Sequence, residues 1–258
     1  MIIQKVFAIY FSPTGTSKKV LKSMLSEFDI PKCNVDLTPY ETRNNSYSFS
    51  ENDLVIIGTP VYGGRIPSAA EKRIKLLNGN NTPALLVLTF GNVHYSNALS
   101  ELKQMVNVNG FIAIAAATVV SEHNVAKGIA TGRPNLQDFA DISMFIKKVK
   151  EKISYSQQFE NTSINGKVVS HLCDMRDMLP IKPHGNEKCT NCGICIKLCP
   201  THTITDPRKT ASSTCIRCMR CIKYCPQNAR TYGSFKKNFA KIFLTVASHG
   251  KKQPDFFL

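Results

Sequence analysis

The sequence predicts two folded units in series, an α/β unit with a doubly wound five-stranded parallel sheet and a small α+β unit built around cysteine. Through residues 1–155, apolar runs typical of buried strands alternate with segments of helical periodicity. Eight of the ten cysteines fall within residues 189–225. We therefore place the cysteine-rich unit at residues 183–233, a polar linker at residues 156–182, and a C-terminal amphipathic helix and tail at residues 234–258.

Strands and helices take turns along the α/β unit. The apolar runs predict strands over residues 5–11, 33–38, 53–60, 83–91 and 111–120. Helical spacing predicts helices over residues 16–28, 67–77, 95–107 and 135–153. Parallel strands joined by helices form a sheet that is covered on both faces. Ligands of such sheets bind beyond the carboxyl ends of the strands, so the loops after the strands are the candidate site.

Two more helices are predicted outside the α/β unit. One lies within residues 167–182. The other follows the cysteine-rich unit, and we expect its apolar face to pack on the protein, with docking on a partner or lying on a membrane surface as alternatives. That face consists of Phe235, Phe239, Ile242, Phe243 and Val246.

The cysteine-rich unit repeats one pattern, C-x2-C-x2-C-x3-C-P, at residues 189–200 and 215–226. Zinc sites are the alternative reading, but they are usually built from separated pairs of ligands. The pattern resembles bacterial-type two-cluster ferredoxins, in which the fourth Cys of each run ligates the other run's cluster. The resemblance implies two [4Fe-4S] clusters. It assigns Cys189, Cys192, Cys195 and Cys225 to one cluster, and Cys215, Cys218, Cys221 and Cys199 to the other. Cys33 and Cys173 lie outside the pattern and are expected to be plain thiols.

The loop after the first strand, SPTGTSKKV, combines small hydroxyl residues with one Gly at the start of a helix. Such a loop directs backbone N–H groups and hydroxyls at one point, which suits a phosphate. The P-loop and the G-x-G-x-x-G fingerprint are both absent. An ordinary capped turn is the alternative. The S-x-T-G-x-S pattern resembles the FMN phosphate loop of flavodoxins, which implies phosphate contacts from Ser12, Thr14, Gly15, Thr16 and Ser17.

Two further loops follow the third and fourth strands, TPVYGGRIP and FGNVHYSN. In flavodoxin-like proteins these loops flank the isoalloxazine ring. The resemblance implies ring neighbours in both loops, with Tyr62 and Tyr95 as aromatic contacts and the glycines as points of close backbone approach. For each tyrosine, a half-buried surface aromatic is the alternative. The implied residues are Pro60, Val61, Tyr62, Gly63, Gly64, Phe90, Gly91, Asn92 and Tyr95.

The net charge of +15 is distributed unevenly. Residues 1–160 hold 17 Lys/Arg against 13 Asp/Glu, and residues 161–258 hold 16 against 5. The excess of positive charge in residues 161–258 can serve solubility alone, and it also favours an acidic protein partner. No nucleic-acid-binding motif accompanies it, so no nucleic-acid partner is expected. No apolar run reaches the roughly 18 residues of a membrane span. The N-terminus lacks the features of a signal peptide, so we expect a cytoplasmic protein.

Taken along its whole length, the chain resembles the flavodoxin–ferredoxin fusion proteins of anaerobic microbes. The resemblance implies an electron-transfer flavoprotein with FMN in a flavodoxin-like unit and two [4Fe-4S] clusters in the cysteine-rich unit that follows it in the chain. FMN exchanges one or two electrons and each cluster one, so the combination can couple the two kinds of step with a redox protein partner. The alternative is a ferredoxin-fed, FMN-dependent reductase with a small-molecule electron acceptor at the flavin. No catalytic side chain is predicted, and the oligomeric state stays open.

Overall fold

The predicted alternation of strands and helices is confirmed in the structure, a computed structural model that describes residues 2–164, 181–248 and 250–258. The α/β unit contains β1 (Lys5–Tyr10), α1 (Thr16–Ser26), β2 (Lys32–Asp36), a 3-10 helix (Tyr40–Asn44), β3 (Tyr47–Ser48), β4 (Asp53–Pro60), α2 (Ser68–Ile74), β5 (Leu77–Asn78), β6 (Thr82–Phe90), α3 (Ala98–Val108), β7 (Phe111–Val120) and α4 (Leu136–Tyr155). The rest of the described chain contains β8 (His184–Gly185), α5 (Ile194–Lys197), α6 (Arg220–Lys223), β9 (Arg230–Thr231), α7 (Ser234–Ala247) and β10 (Asp255–Phe257).

The main sheet has one strand more than predicted. Its order is β10-β7-β6-β4-β1-β2, and the five strands of the α/β unit are parallel. The sixth strand, β10, comes from the C-terminal tail and pairs antiparallel with β7, with Asp255 opposite Thr118 and Phe257 opposite Ala116. A strand of three residues is too short to show a periodic pattern, and its partner β7 lies far away in the sequence, so the sequence alone does not indicate it.

The sheet is covered on both faces, as its apolar strands require. On one face, α1 and α4 pack against the sheet, and on the other face α2 and α3 do so. Every residue of β6 is buried. A Cβ on Gly58 of β4 would lie 2.3 Å from Leu21 Cδ1, so this glycine lets α1 approach the sheet closely. Each fully buried side chain such as Leu21 contributes about 1.5–3 kcal/mol.

The cysteine-rich unit is a backbone repeat of 26 residues. Left-handed backbone conformations recur at equivalent places in the two halves, and α5 and α6 occupy the same position in each. The equivalent pairs are Asn191 and Arg217, Gly193 and Met219, and His202 and Asn228. β8 and β9 close the unit as an antiparallel pair. The repeated sequence pattern therefore corresponds to a repeated fold.

Buried side chains join the two units. Arg73 of α2, which is 3% exposed, donates to the carbonyl oxygens of Thr38 at 2.9 Å and Pro200 at 2.6 Å, and also to that of Leu37. The Tyr232 hydroxyl donates to the Val125 carbonyl at 2.6 Å. Polar groups buried at an interface must find such partners, and these bonds hold the cysteine-rich unit against the carboxyl ends of the strands.

The first part of the predicted linker is packed on the sheet and is not a free connection. Phe159 is buried, the Asn161 side chain accepts from the Ala113 N–H at 2.9 Å, and the Thr162 N–H donates to the Ala113 carbonyl at 2.8 Å. The helix predicted within residues 167–182 and the thiol Cys173 lie outside the described residues, except for residues 181 and 182.

The predicted C-terminal helix is present as α7, but the packing predicted for its apolar face is wrong at Ile242, Phe243 and Val246. The side chains of the other two predicted residues, Phe235 and Phe239, lie outside the described part of the structure. Ile242, Phe243 and Val246 are exposed, whereas Leu244 is buried beside Tyr232. The side that holds Leu244 packs on the loop after β7, so the last described turns of the helix face inward through a residue that the sequence did not indicate. Within the described residues, no helix combines the length and the apolar character that a membrane crossing needs.

Candidate functional site

A cavity opens at the carboxyl ends of β1, β4, β6 and β7, the place where doubly wound sheets bind ligands. It is lined by Ser12, Pro13, Thr14, Thr16, Ser17, Pro60, Val61, Tyr62, Thr89, Gly91, Ser121, Glu122, His123 and Asn124. Eight of the fourteen flavin contacts predicted from the sequence are among these residues.

The loop after β1 is shaped around the start of α1. The Ser12 side chain accepts from the Lys18 N–H at 2.9 Å, and Gly15 begins the helix in a left-handed conformation at φ 87°. Ser17 is tied to Thr89 by a hydroxyl–hydroxyl hydrogen bond of 2.8 Å. The hydroxyl residues Thr14 and Thr16 line the cavity at the positive end of the helix dipole. This arrangement suits a phosphate group.

Six predicted flavin contacts do not line this cavity: Gly15, Gly63, Gly64, Phe90, Asn92 and Tyr95. Gly63 and Gly64 form a tight turn, since both have positive φ and the Tyr62 N–H donates to the Arg65 carbonyl across them at 2.9 Å. The sequence signal at these glycines thus reflects the turn that presents Tyr62.

Asn92 and Tyr95 instead contact the C-terminal tail. The Asn92 amide donates to the Gly250 carbonyl at 3.0 Å and accepts from the Lys252 N–H at 3.0 Å. The Tyr95 hydroxyl donates to the Asp255 carboxylate at 3.0 Å, and its ring packs edge-on against Phe90. These residues fix the strand β10 and the tail before it to the loop after β6.

The loop after β7 supplies four lining residues that the sequence reasoning missed, Ser121, Glu122, His123 and Asn124. The signal was available, because this loop also follows the carboxyl end of a strand and is polar. The flavodoxin resemblance implies ring contacts in two loops, those after β4 and β6, and this third loop is not among them. Asn124 also reaches the cysteine-rich unit, since its amide donates to the Cys218 carbonyl at 3.3 Å.

Tyr62 lies between the cavity and the cysteine-rich unit. Its hydroxyl is buried, and among the described residues it has no hydrogen-bond partner. Burial raises the pKa of Tyr62 well above its ordinary value, the nearby Cys218 thiol raises it further, and Arg220 opposes the shift. The same side chain therefore lines the cavity and lies near Cys218.

Four of the eight patterned cysteines surround a second, smaller cavity. We call Cys189, Cys192, Cys195 and Cys225 the outer cysteine group. Cys192 is exposed to solvent. The fourth member, Cys225, comes from the other sequence run, as the ferredoxin resemblance implies. Among the described residues, no three His, Cys, Asp or Glu side chains lie close enough together to hold a single metal ion.

The other four, the inner cysteine group, are linked by their mutual electrostatic effects. They are Cys199, Cys215, Cys218 and Cys221. Burial, together with the charges of Cys215 and Cys199, raises the pKa of Cys221 to about 11, and Arg230 opposes this shift. Burial also raises the pKa of Cys215 and Cys218, and Cys199 adds to both shifts. Cys199 thus lies with the second run and not with its own.

Hydrogen bonds and one buried cation surround these thiols. The Thr203 N–H donates to Cys199 Sγ at 3.4 Å, and the Ala229 N–H donates to Cys225 Sγ at 3.2 Å. Arg230, 3% exposed, lowers the pKa of Cys195 in the outer group as well as that of Cys221. A cation shared by both groups stabilises negative charge on either.

Sequence models of known families match two stretches of the chain. A model described as NADPH-dependent FMN reductase matches residues 13–126, and one described as 4Fe-4S dicluster domain matches residues 142–238. The chain is a flavodoxin–ferredoxin fusion. The family resemblance and the fold class predicted from the sequence are both confirmed. The fusion protein is an iron–sulfur flavoprotein of electron transfer, and its cofactors are two [4Fe-4S] clusters and FMN.

Solved structures resemble the α/β unit of the fusion protein at low identity. Flavodoxin 1 from Bacillus cereus is 12% identical over 57% of this chain and 97% of its own, with a TM-score of 0.41. A putative flavoprotein from Bacteroides uniformis is 16% identical over 56% and 99%, with a TM-score of 0.40. An NADH:FMN oxidoreductase in its apo form is 14% identical over 60% and 91%, with a TM-score of 0.41. Among curated proteins, none matches the chain.

The residues of the fusion protein fit the cofactors that its domains imply. The hydroxyls of Thr14 and Thr16 at the start of α1 suit the FMN phosphate, and the unpartnered hydroxyl of Tyr62 offers a buried polar group to the cavity. Thiolates in two groups of four are the ligand set of two [4Fe-4S] clusters. The N–H donors to Cys199 and Cys225 would favour the thiolate forms.

Proposed function

We propose that the fusion protein passes electrons between a redox protein partner and FMN, with the inner cysteine group next to the flavin and the outer group facing the partner. When bound, FMN exchanges one or two electrons and each cluster exchanges one, which couples single-electron and paired-electron chemistry. The observation that supports this order most strongly is the position of Tyr62, which lines the flavin cavity and lies near Cys218.

Three contacts attach the inner group to the flavin cavity. The Asn124 amide donates to the Cys218 carbonyl at 3.3 Å. The Arg220 guanidinium donates to the Pro13 carbonyl at 2.7 Å, in the loop that carries the phosphate hydroxyls. Lys223 donates to the Thr14 carbonyl at 2.6 Å in the same loop. A shift of the inner group would therefore move both ends of the flavin cavity.

The outer group has the features of a partner surface. Cys192 is exposed and Cys189 is partly exposed. Lys188 precedes the group in the chain, and Arg208 donates to the Cys189 carbonyl at 3.4 Å, with both side chains exposed. Cations beside an exposed ligand favour an acidic redox protein as the partner.

A ferredoxin-fed reductase of a small molecule is the second candidate function. It is favoured by the match of residues 13–126 to a family model described as NADPH-dependent FMN reductase. The two candidates differ in the final acceptor. In the first it is a protein, and in the second it is a small molecule that enters the cavity beside Glu122 and His123.

The test is anaerobic purification of the full chain with iron, zinc and flavin analysis, followed by stepwise reduction under visible and paramagnetic spectroscopy. We expect about eight irons and one FMN per chain. We also expect a small acidic ferredoxin to reduce the flavin only when the clusters are present. Zinc without flavin would contradict the proposal. Flavin reduction by NADPH alone, in a cluster-free preparation, would favour the second candidate.

A further inference from the structure

The loop after β7 holds one of its residues, His123, in a single orientation at the flavin cavity. His123 Nδ1 accepts hydrogen bonds from the backbone N–H groups of Val125 and Ala126, both at 3.1 Å. One side of the imidazole lies against Gly91, where a Cβ would come within 2.6 Å of His123 Cδ2. Two donors and a packed neighbour leave the ring little freedom to rotate.

The contacts at Nδ1 decide where the imidazole proton resides. A nitrogen that accepts two N–H groups carries no hydrogen, so the neutral ring carries its proton on Nε2. Burial lowers the pKa of His123 to about 4, and the ring is therefore neutral near pH 7. Among the described residues, none accepts a hydrogen bond from Nε2. This N–H group is thus available to the occupant of the cavity.

His123 lies at the end of the cavity away from the phosphate loop. The phosphate loop follows β1, and His123 follows β7, which is three strands away in the sheet order. Neighbouring strands are about 4.8 Å apart, so the two loops are separated by roughly 14 Å. Phosphate and ring are at opposite ends of FMN, and the ring end is therefore the end beside His123 and Gly91.

We propose that His123 provides a fixed, uncharged N–H donor to the isoalloxazine ring, and that this donor favours the reduced flavin. The inference rests on the proposed function, because it requires FMN in this cavity. Reduction adds negative charge to the ring, and a donor that is already in place stabilises this charge more than it stabilises the oxidised ring. The loop after β7 would then set the flavin potential, while the loop after β1 holds the phosphate.

Two substitutions separate the donor from the structural role of the imidazole. In His123→Asn, the side-chain oxygen can replace Nδ1 as acceptor for the Val125 and Ala126 N–H groups, but no donor reaches the Nε2 position. In His123→Gln, the amide nitrogen can replace Nε2, but the acceptor at the Nδ1 position is lost. His94→Asn is the matched control, since His94 is exposed in the neighbouring loop and does not line the cavity.

The measurements are the Kd of oxidised FMN, by fluorescence titration of the flavin-depleted full chain, and the midpoint potential of the bound flavin. For His123→Asn we expect affinity for reduced FMN to fall about tenfold relative to oxidised FMN, which is about 30 mV in a two-electron couple. Urea unfolding gives a third quantity, the unfolding midpoint. For His123→Gln we expect this unfolding midpoint to fall while the flavin potential stays close to that of the wild type. For His94→Asn we expect no change in the flavin potential or in the unfolding midpoint.

An unchanged potential in His123→Asn, with FMN still bound, would overturn this inference and leave the proposed function intact. Equal shifts in His123→Asn and His123→Gln, together with equal losses in urea midpoint, would also overturn it, because they would indicate a structural role only. Failure of the wild-type chain to bind FMN would overturn both the inference and the proposed function.

Discussion

The outer and inner cysteine groups share one backbone repeat but differ in what covers them. In the outer group Cys192 is exposed, whereas Cys218, its equivalent 26 residues later, is only 8% exposed. The difference arises from the α/β unit, which covers the second run through Asn124, Tyr62 and the phosphate loop. Two copies of one motif can thus take different positions in an electron path when a neighbouring domain buries only one of them.

The largest expected effect comes from removing one ligand at equivalent positions, with Cys218→Ser and Cys192→Ser. Cys218→Ser should lose the inner cluster and abolish flavin reduction by a reduced acidic ferredoxin, while the outer cluster is still reduced. Cys192→Ser should lose the outer cluster and its reduction by the ferredoxin, while dithionite still reduces the flavin. Stopped-flow absorbance at the flavin band and low-temperature paramagnetic spectra distinguish the two.

Iron and FMN content provides the control for this pair, because each variant should retain one cluster and the flavin. Ferredoxin-driven flavin reduction that survives in Cys218→Ser would contradict the inner position of that group. If ferredoxin reduced the flavin to the same extent in both variants, the two cysteine groups would not occupy different positions in the electron path.

Much of the difference between the two cysteine groups could be predicted from the sequence. The part that could not depends on contacts between residues far apart in the chain. The repeat is visible as a strict spacing pattern, and the crossing of Cys199 and Cys225 is what the resemblance to two-cluster ferredoxins implies. The α/β unit follows from apolar runs that a covered parallel sheet requires. The burial of Cys218 could not be predicted from the sequence, because it depends on contacts with Tyr62 and Asn124, more than 90 residues earlier in the chain.

The same limit applies to the flavin cavity. The hydroxyls at Ser12 and Thr14 are local signals, and the structure places them in the cavity. Asn92 and Tyr95 carry the same kind of signal, yet their side chains bond to the C-terminal tail, whose return to the sheet no local pattern indicates. The flavin contacts of all these residues stay predictions, and only the additional bonds to the distant tail could not be expected from the sequence.

An intermediate effect is expected from Arg73→Leu, which removes one of the buried links between the two units, beside the inner group. The guanidinium bonds to carbonyls of Leu37, Thr38 and Pro200, and Pro200 follows Cys199. Leaving these carbonyls unpaired should lower the free energy of unfolding by about 3 kcal/mol. Urea unfolding followed by far-UV circular dichroism measures this loss.

Arg43→Leu is the matched control for this substitution, since Arg43 is exposed and, within the described residues, contacts Tyr40 alone, through a 3.1 Å bond to its carbonyl and stacking on its ring. Its expected cost is below about 0.5 kcal/mol. Arg73→Leu should also make the inner cluster less resistant to oxygen than the outer one, because Pro200 would lose its anchor. Equal losses in both variants would show that the buried position of Arg73 adds nothing to the interface.

The smallest expected effect concerns the exposed side of the outer group. Lys188→Glu reverses a charge next to Cys189, and Lys22→Glu reverses one on the exposed side of α1, so both lower the net charge by two. If an acidic ferredoxin docks at the outer group, Lys188→Glu should slow its association a few-fold at low ionic strength, and Lys22→Glu should slow it much less.

The difference should shrink as salt rises toward 1 M, where the Debye length falls to about 3 Å. Stopped-flow reduction of the clusters at several salt concentrations measures it. Equal slowing by both variants would mean that only the overall charge steers the partner, and the outer group would then lose its distinction as the docking surface.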